Sequence, residues 1–174
     1  MKKHRFLLLA SVTVVMALSL SAFAKSKQVK AEVKDTNGKS VGWAMIKPAG
    51  SGVEVNLSLD HMPPGEHAVH IHQNAKCDAP DFKSAGGHFN PDSKQHGLKN
   101  PDGPHAGDLE NFTVNADGKA HVKILDKNVD LGDDSHSLFA NGGTAIVIHA
   151  KADDMQTDPS GNSGDRIACA MITK

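Results

Sequence analysis

The feature that most restricts how this chain folds is a stretch without periodicity, residues 74–109, set between segments that alternate apolar and polar side chains. It is rich in glycine, proline, aspartate and asparagine. A loop this long inside a compact domain is functional or disordered, so an ordered one needs cross-links. The side chains able to supply them are Cys77, His88, His96, His105 and Asp108. The segment feeding the loop reads HAVHIHQ and puts His70 and His72 two residues apart. On a strand, side chains at i and i+2 leave the same face, so these two imidazoles are placed to chelate one ion.

The flanking segments read as strands. Residues 28–34 alternate, with Val29, Ala31 and Val33 on one face, and Asp35-Thr36-Asn37-Gly38 is a hairpin turn because Asn-Gly readily takes positive φ. Residues 41–47 and 53–59 follow, then a loop at 60–66 built on Pro63-Pro64-Gly65. Residues 67–73 form the fourth strand. Residues 110–116 and 119–125 pair across Asp117-Gly118, and 144–150 and 165–173 complete the set. Eight short strands, with no amphipathic helix and no internal repeat, predict a β-sandwich or flattened barrel.

Residues 1–24 read as a secretory signal peptide: Lys2, Lys3 and Arg5, an apolar run, then Ala22-Phe23-Ala24 as a small-residue cleavage site. The run is too short and wrongly flanked to span a membrane, and no cysteine near the cleavage point offers lipid attachment. Residues 25–174 are then one exported domain, with no membrane insertion expected after cleavage. The full chain has 19 basic and 20 acidic residues; three of the basic ones lie in the leader, which leaves 16 against 20, a net charge of −4. That balance argues against a general nucleic-acid binder and requires any anion site to be locally positive. In an oxidising compartment Cys77 and Cys169 are expected to pair, two buried thiols being the alternative. Closing a loop of about 90 residues is worth about 4–5 kcal/mol in the chain-entropy picture.

His88, His96 and His105 are spaced by eight and nine residues, and Asp108 follows three later. Three imidazoles and a carboxylate make a closed tetrahedral zinc site, and imidazole sites without thiolate suit zinc and copper(II). Each histidine taken singly could be a hydrogen-bonded loop residue; four such groups in one Gly/Pro-rich loop favour a metal. His149 ends a later apolar strand in TAIVIHAKADD. There is no HExxH helix, no serine nucleophile motif and no phosphate-cradling glycine loop.

HxH in a strand, GGHFNP, HG, PHAGDL, GTAIVIHAKADD and SGNSGDRIACAMI occur in this order. Together, from about residue 28 to 173, they resemble the copper–zinc superoxide dismutases, particularly the exported bacterial branch. The resemblance implies an all-β, eight-stranded antiparallel Greek-key sandwich with long metal-binding loops. It implies one copper and one zinc per chain, superoxide anion as substrate, a periplasmic or other extracytoplasmic location, and leaves room for a homodimer. His70, His72 and His149 match copper ligands, and His88 matches the imidazole shared by copper and zinc. His96, His105 and Asp108 match the remaining zinc ligands. Asp153 matches the carboxylate that hydrogen-bonds ligand histidines on both metals, Arg166 the guanidinium beside the copper, and Cys77 with Cys169 the disulfide. Arg166 and His88 are thus the residues expected to act on substrate. His67 matches a structural histidine, while His61, His121 and His136 fall outside the site.

The chain departs from the family pattern at Ala68 and Val69, where Gly-Phe is usual, and at Gln73, where Glu is frequent. Asp165 stands where a small or hydroxyl residue is usual; a pairing with Arg166 would weaken anion attraction. Lys76, Lys83 and Lys151 are candidates for steering the substrate.

Overall fold

The alternating segments form nine β-strands in the computed structural model, which describes residues 28–174. The leader read at residues 1–24 lies outside the described residues. The strands are β1 (Val29–Asp35), β2 (Ser40–Ala49), β3 (Gly52–Leu59), β4 (Gly65–His67), β5 (Val69–His72), β6 (Phe112–Val114), β7 (Ala120–Asp126), β8 (Thr144–His149) and β9 (Arg166–Ile172). The ninth strand arises because the segment expected at 67–73 divides at Ala68. The Ala68 N–H donates to Lys151 O, and its carbonyl accepts from His149 N. The chain there is captured by the end of β8, so β4 pairs with β6 while β5 enters the main sheet.

That sheet has the order β5-β8-β9-β1-β2-β3-β7, and every pairing is antiparallel. β1, β2 and β3 form a meander; the connections from β3 to β5 and from β7 to β8 then cross between the two ends of the sheet, as in a Greek key. The first turn forms as its sequence predicts: Asp35 Oδ1 accepts the N–H groups of Asn37 and Lys39, and Gly38 sits at φ 76°. On the concave side Ala31, Val33, Val55, Leu57, Ile146 and Ile148 are buried in one continuous core. Burial of such side chains, worth about 1.5–3 kcal/mol each relative to exposure, fixes the register, because a one-residue slip would turn them all to solvent.

The other face of β8 and β9 is not left to water. Ala145, Val147 and Cys169 pack there against Phe82, Ala85 and Cys77 from the 74–109 loop in a second, smaller cluster. The loop is therefore laid over the outside of the sheet at its β5–β8–β9 end. Among the described residues no helix is long and apolar enough to cross a membrane.

Candidate metal centre

β5 alternates as its sequence requires. Val69 and Ile71 enter the main core, and His70 and His72 leave the opposite face, each almost fully buried. The long loop then runs beside β5 as two extra strand-like passes. Ile71 N donates to Gly107 O, Phe89 N donates to Ile71 O, and Gln73 N donates to Gly87 O. These bonds set His88 opposite His72 and Asp108 opposite His70. His149 is brought to the same face at the end of β8, next to Arg166 of β9. Residues far apart in sequence thus converge because the loop completes the ladder at the sheet edge.

Two groups of ligand atoms, each with all members within 4.8 Å, could hold a metal ion: His70, His72, His88 and His149, and His70, His88, His96 and Asp108. In the first group four ring nitrogens are buried without a hydrogen-bond partner: Nδ1 of His70 and Nε2 of His72, His88 and His149. Buried polar atoms normally find partners, so four such orphaned nitrogens close together fit a bound cation. The opposite nitrogens are held. His70 Nε2 donates to Asp153 Oδ2 at 2.8 Å, His72 Nδ1 to Gly86 O at 2.9 Å, and His149 Nδ1 to Gly164 O at 3.2 Å.

The second group centres on Asp108 Oδ1, which lies 2.8 Å from His88 Nδ1, 3.0 Å from His96 Nδ1 and 3.3 Å from His105 Nδ1. Proximity alone puts His70 in this group and leaves His105 out. Chemistry reverses that choice. His70 has its Nε2 committed to Asp153 and its Nδ1 among the orphans, whereas His105 Nδ1 turns to Asp108 and to His88 Nδ1, 3.3 Å away. His88 is the ring common to both groups, with Nδ1 toward Asp108 and Nε2 toward the orphans.

The profile of the copper/zinc superoxide dismutase (SODC) family matches residues 40–172. The chain belongs to the copper/zinc superoxide dismutase family. It is 45% identical over 157 residues to "Superoxide dismutase [Cu-Zn] 1" of Aquifex aeolicus, covering 88% of this chain and 93% of that one. To "Superoxide dismutase [Cu-Zn] 2" of the same organism it is 43% identical over 174 residues, covering 99% of each. Among solved structures, a double mutant of a SOD-like protein from Bacillus subtilis is similar with a TM-score of 0.81 and 41% identity, over 83% of this chain and 97% of that one.

The electrostatics divide the cluster, and in the group of orphaned nitrogens they suit metal ligation. Burial, reinforced by neighbouring imidazoles, pushes His72 well below the ordinary histidine range and His149 to about 3. Burial also lowers His88, to about 4, against the pull of Asp108. Neutral imidazole is the form that ligates a metal. His96 goes the other way: burial lowers it, but hydrogen bonds to Asp108 and Asp153 outweigh that and hold it up at about 9. Burial tends to raise Asp108 and Asp153, yet the histidine hydrogen bonds win and keep both carboxyls ionised far below their usual range. Asp153 reaches His70 with one oxygen and His96 with both, at 3.0 and 3.1 Å. Asn111 fixes its backbone by accepting Asp153 N–H and donating to Asp153 O.

Arg166 donates to Phe82 O at 2.7 Å and Gly86 O at 2.8 Å. It makes no ion pair with the exposed Asp165. The clamp comes from the loop, and the Cys77–Cys169 disulfide, Cα–Cα 5.7 Å, ties that loop to β9. A cleft of about 480 Å³ opens over the orphaned nitrogens, lined by His72, His88, His105, His149, Gly164 and Arg166 among others. Lys76, Lys83 and Lys151 do not line it, and Lys83 is paired with Asp81 at 2.7 Å. His67 is buried and lies within 2.8 Å of both Pro63 O and His149 O, a brace behind the site.

Three contributors escaped the sequence reading. The carbonyls of Gly86 and Gly164, which orient His72 and His149, are backbone atoms and leave no side-chain signal. Gly161 is needed because a Cβ there would fall on Asp153 Oδ1; its signal was the SGNSG run, taken as part of a family motif without a role for the glycine.

Proposed function

We propose that this protein is an exported copper–zinc superoxide dismutase that converts superoxide to oxygen and hydrogen peroxide and protects the space outside the cytoplasm. The observation that carries the reading is the set of four buried, partnerless ring nitrogens on His70, His72, His88 and His149 beside an ionised Asp108. Copper would be held by His70, His72, His88 and His149, and zinc by His88, His96, His105 and Asp108. The ligand set is all imidazole on the copper side and three imidazoles with one carboxylate on the zinc side, as each metal accepts.

Bound copper supplies one-electron chemistry, so that two superoxide anions and two protons yield one oxygen and one hydrogen peroxide, while zinc supplies none. The protein's own groups do the rest. Arg166 spends two N–H donors on the loop and keeps others for an anion in the cleft, where it is the formally charged side chain. A fixed guanidinium attracts and orients a small anion despite the negative net charge. His88, which lines the cleft and is common to both ligand groups, is the residue at which a proton is held and passed to the reduced oxygen. Asp153 and the Gly86 and Gly164 carbonyls keep the rings turned so that the ligating nitrogens point inward. Export is supported by the Cys77–Cys169 disulfide, since such bonds persist in oxidising compartments.

A second reading, a metal-buffering protein without turnover, draws on the same imidazole-rich donor set, which can hold zinc or copper without redox cycling. Overall identity does not separate the two readings; the complete donor set and the clamped Arg166 favour turnover. Superoxide decay on copper- and zinc-loaded protein decides between them. Histidine 149 replaced by alanine (H149A) is expected to lose most copper and nearly all activity while retaining zinc. Unchanged dismutation in H149A, or background decay in the loaded parent, defeats the enzyme reading.

A further inference from the structure

Most histidines of the cluster turn one ring nitrogen inward and have the other held by a fixed acceptor: Asp153 for His70 and His96, Gly86 O for His72, Gly164 O for His149. His88 uses both nitrogens within the cluster. His105 departs from this pattern. Its Nδ1 faces Asp108 and His88, while its Nε2 looks across to Asp158 Oδ1 at 4.0 Å, within ion-pair reach and beyond a hydrogen bond. The same carboxylate oxygen accepts the backbone N–H of His96 at 2.8 Å. One side chain thus touches both His96 and His105, from a loop at the far end of the sequence.

That loop is pinned where Asp158 needs it. Lys99 N donates to Met155 O at 3.0 Å, and Asn100 Nδ2 donates to Gln156 O at 3.4 Å. Asp158 is half exposed, whereas Asp153 is sealed.

We propose that Asp158 is a positioning residue for the zinc end: it fixes His96 through its backbone and orients His105 by attracting the Nε2–H, which frees Nδ1 to ligate. The proposal rests on the zinc role given to His105 above. A carboxylate facing the distal nitrogen of a ligating imidazole fixes the tautomer and ring angle and raises the basicity of the other nitrogen. Asp158 is the carboxylate that faces this nitrogen of His105, across 4.0 Å.

The test is Asp158→Asn, which keeps an oxygen to accept the His96 N–H and removes the charge facing His105. Zinc affinity is measured by chelator competition on the full copper-free protein. It is expected to fall 10–100-fold, the usual cost of losing such a partner. The melting temperature of the metal-free protein is expected to stay at the parent value. Cobalt(II) substituted at the zinc end gives a direct readout of the ring, and its visible bands are expected to shift. Zinc affinity within about twofold of the parent, or cobalt bands at the parent position, overturns the proposal. So does a fall in metal-free melting that accompanies the zinc loss, since Asp158 would then only anchor the loop. His105→Ala is the control for the underlying reading. If it binds zinc as the parent does, the zinc assignment itself fails; if it loses zinc while D158N does not, only the role of Asp158 fails.

Discussion

Replacing Cys77 and Cys169 together by serine separates two jobs of the disulfide. The first is global. The bond joins residues 92 apart in sequence. In the chain-entropy expression a loop of that length restricts the unfolded chain by about 4–5 kcal/mol at room temperature. Domains of this size are stable by roughly 5–15 kcal/mol in all, so the loss removes about a quarter or more. At about 2–4 °C per kcal/mol, the melting temperature should drop by roughly 8–20 °C. Metal-free protein in chelator is the right sample, because bound metal adds its own stabilisation by mass action. The second job is local. Cys77 anchors the loop whose Phe82 and Gly86 carbonyls hold Arg166. At full copper and zinc occupancy and a temperature where the variant is folded, activity should still fall, because the guanidinium is no longer fixed. The alternative anchor is the packing of Phe82 and Ala85 on Ala145 and Val147. A melting temperature lowered by less than about 3 °C, with activity per bound copper unchanged, would show that this packing suffices and would refute the reasoning.

Two other perturbations follow from the same geometry. Asp153→Asn should weaken both copper and zinc by about 10–100-fold in chelator competition, because one carboxylate serves His70 and His96; loss at one metal alone would break that account. Asp126 is buried with Oδ2 partnerless, and burial raises its carboxyl from 3.8 to about 7, with Asn128 N–H opposing and Asp108 assisting. A raised folded value means the neutral acid is favoured on folding, so this stability is full below about pH 4 and is lost as pH rises toward 7. The melting difference between Asp126→Asn and the parent in chelator should therefore swing in favour of the variant between pH 4 and 8, on the order of 2–4 kcal/mol. A difference independent of pH would sink it.

Much of this protein is written in local sequence. Period-two alternation on Val53, Val55, Leu57 and Leu59 fixes which face of β3 is buried, and Asn37-Gly38 marks the β1–β2 hairpin, because these preferences involve neighbouring residues alone. The turn at Asp117-Gly118 also forms, but the hairpin expected there does not: β6 pairs with β4 and β7 with β3, a choice made by distant strands. The i, i+2 spacing of His70 and His72 likewise sets both rings on one face before any tertiary contact forms. The motifs in order were enough to place the chain in its family and to name the ligand candidates.

Tertiary structure decided the rest, since it depends on contacts between distant segments. The break at Ala68 is made by the end of β8, some eighty residues away, and no local preference encodes it. The meeting of His88 and Asp108 with β5 depends on backbone ladder bonds that carry no side-chain signature. Arg166 is held by two loop carbonyls and not by its sequence neighbour Asp165, and Asp158 finds His96 and His105 only when two loops close on each other. Side-chain type announced the chemistry; backbone hydrogen bonds between remote segments determined which nitrogens face inward, and hence what that chemistry acts upon.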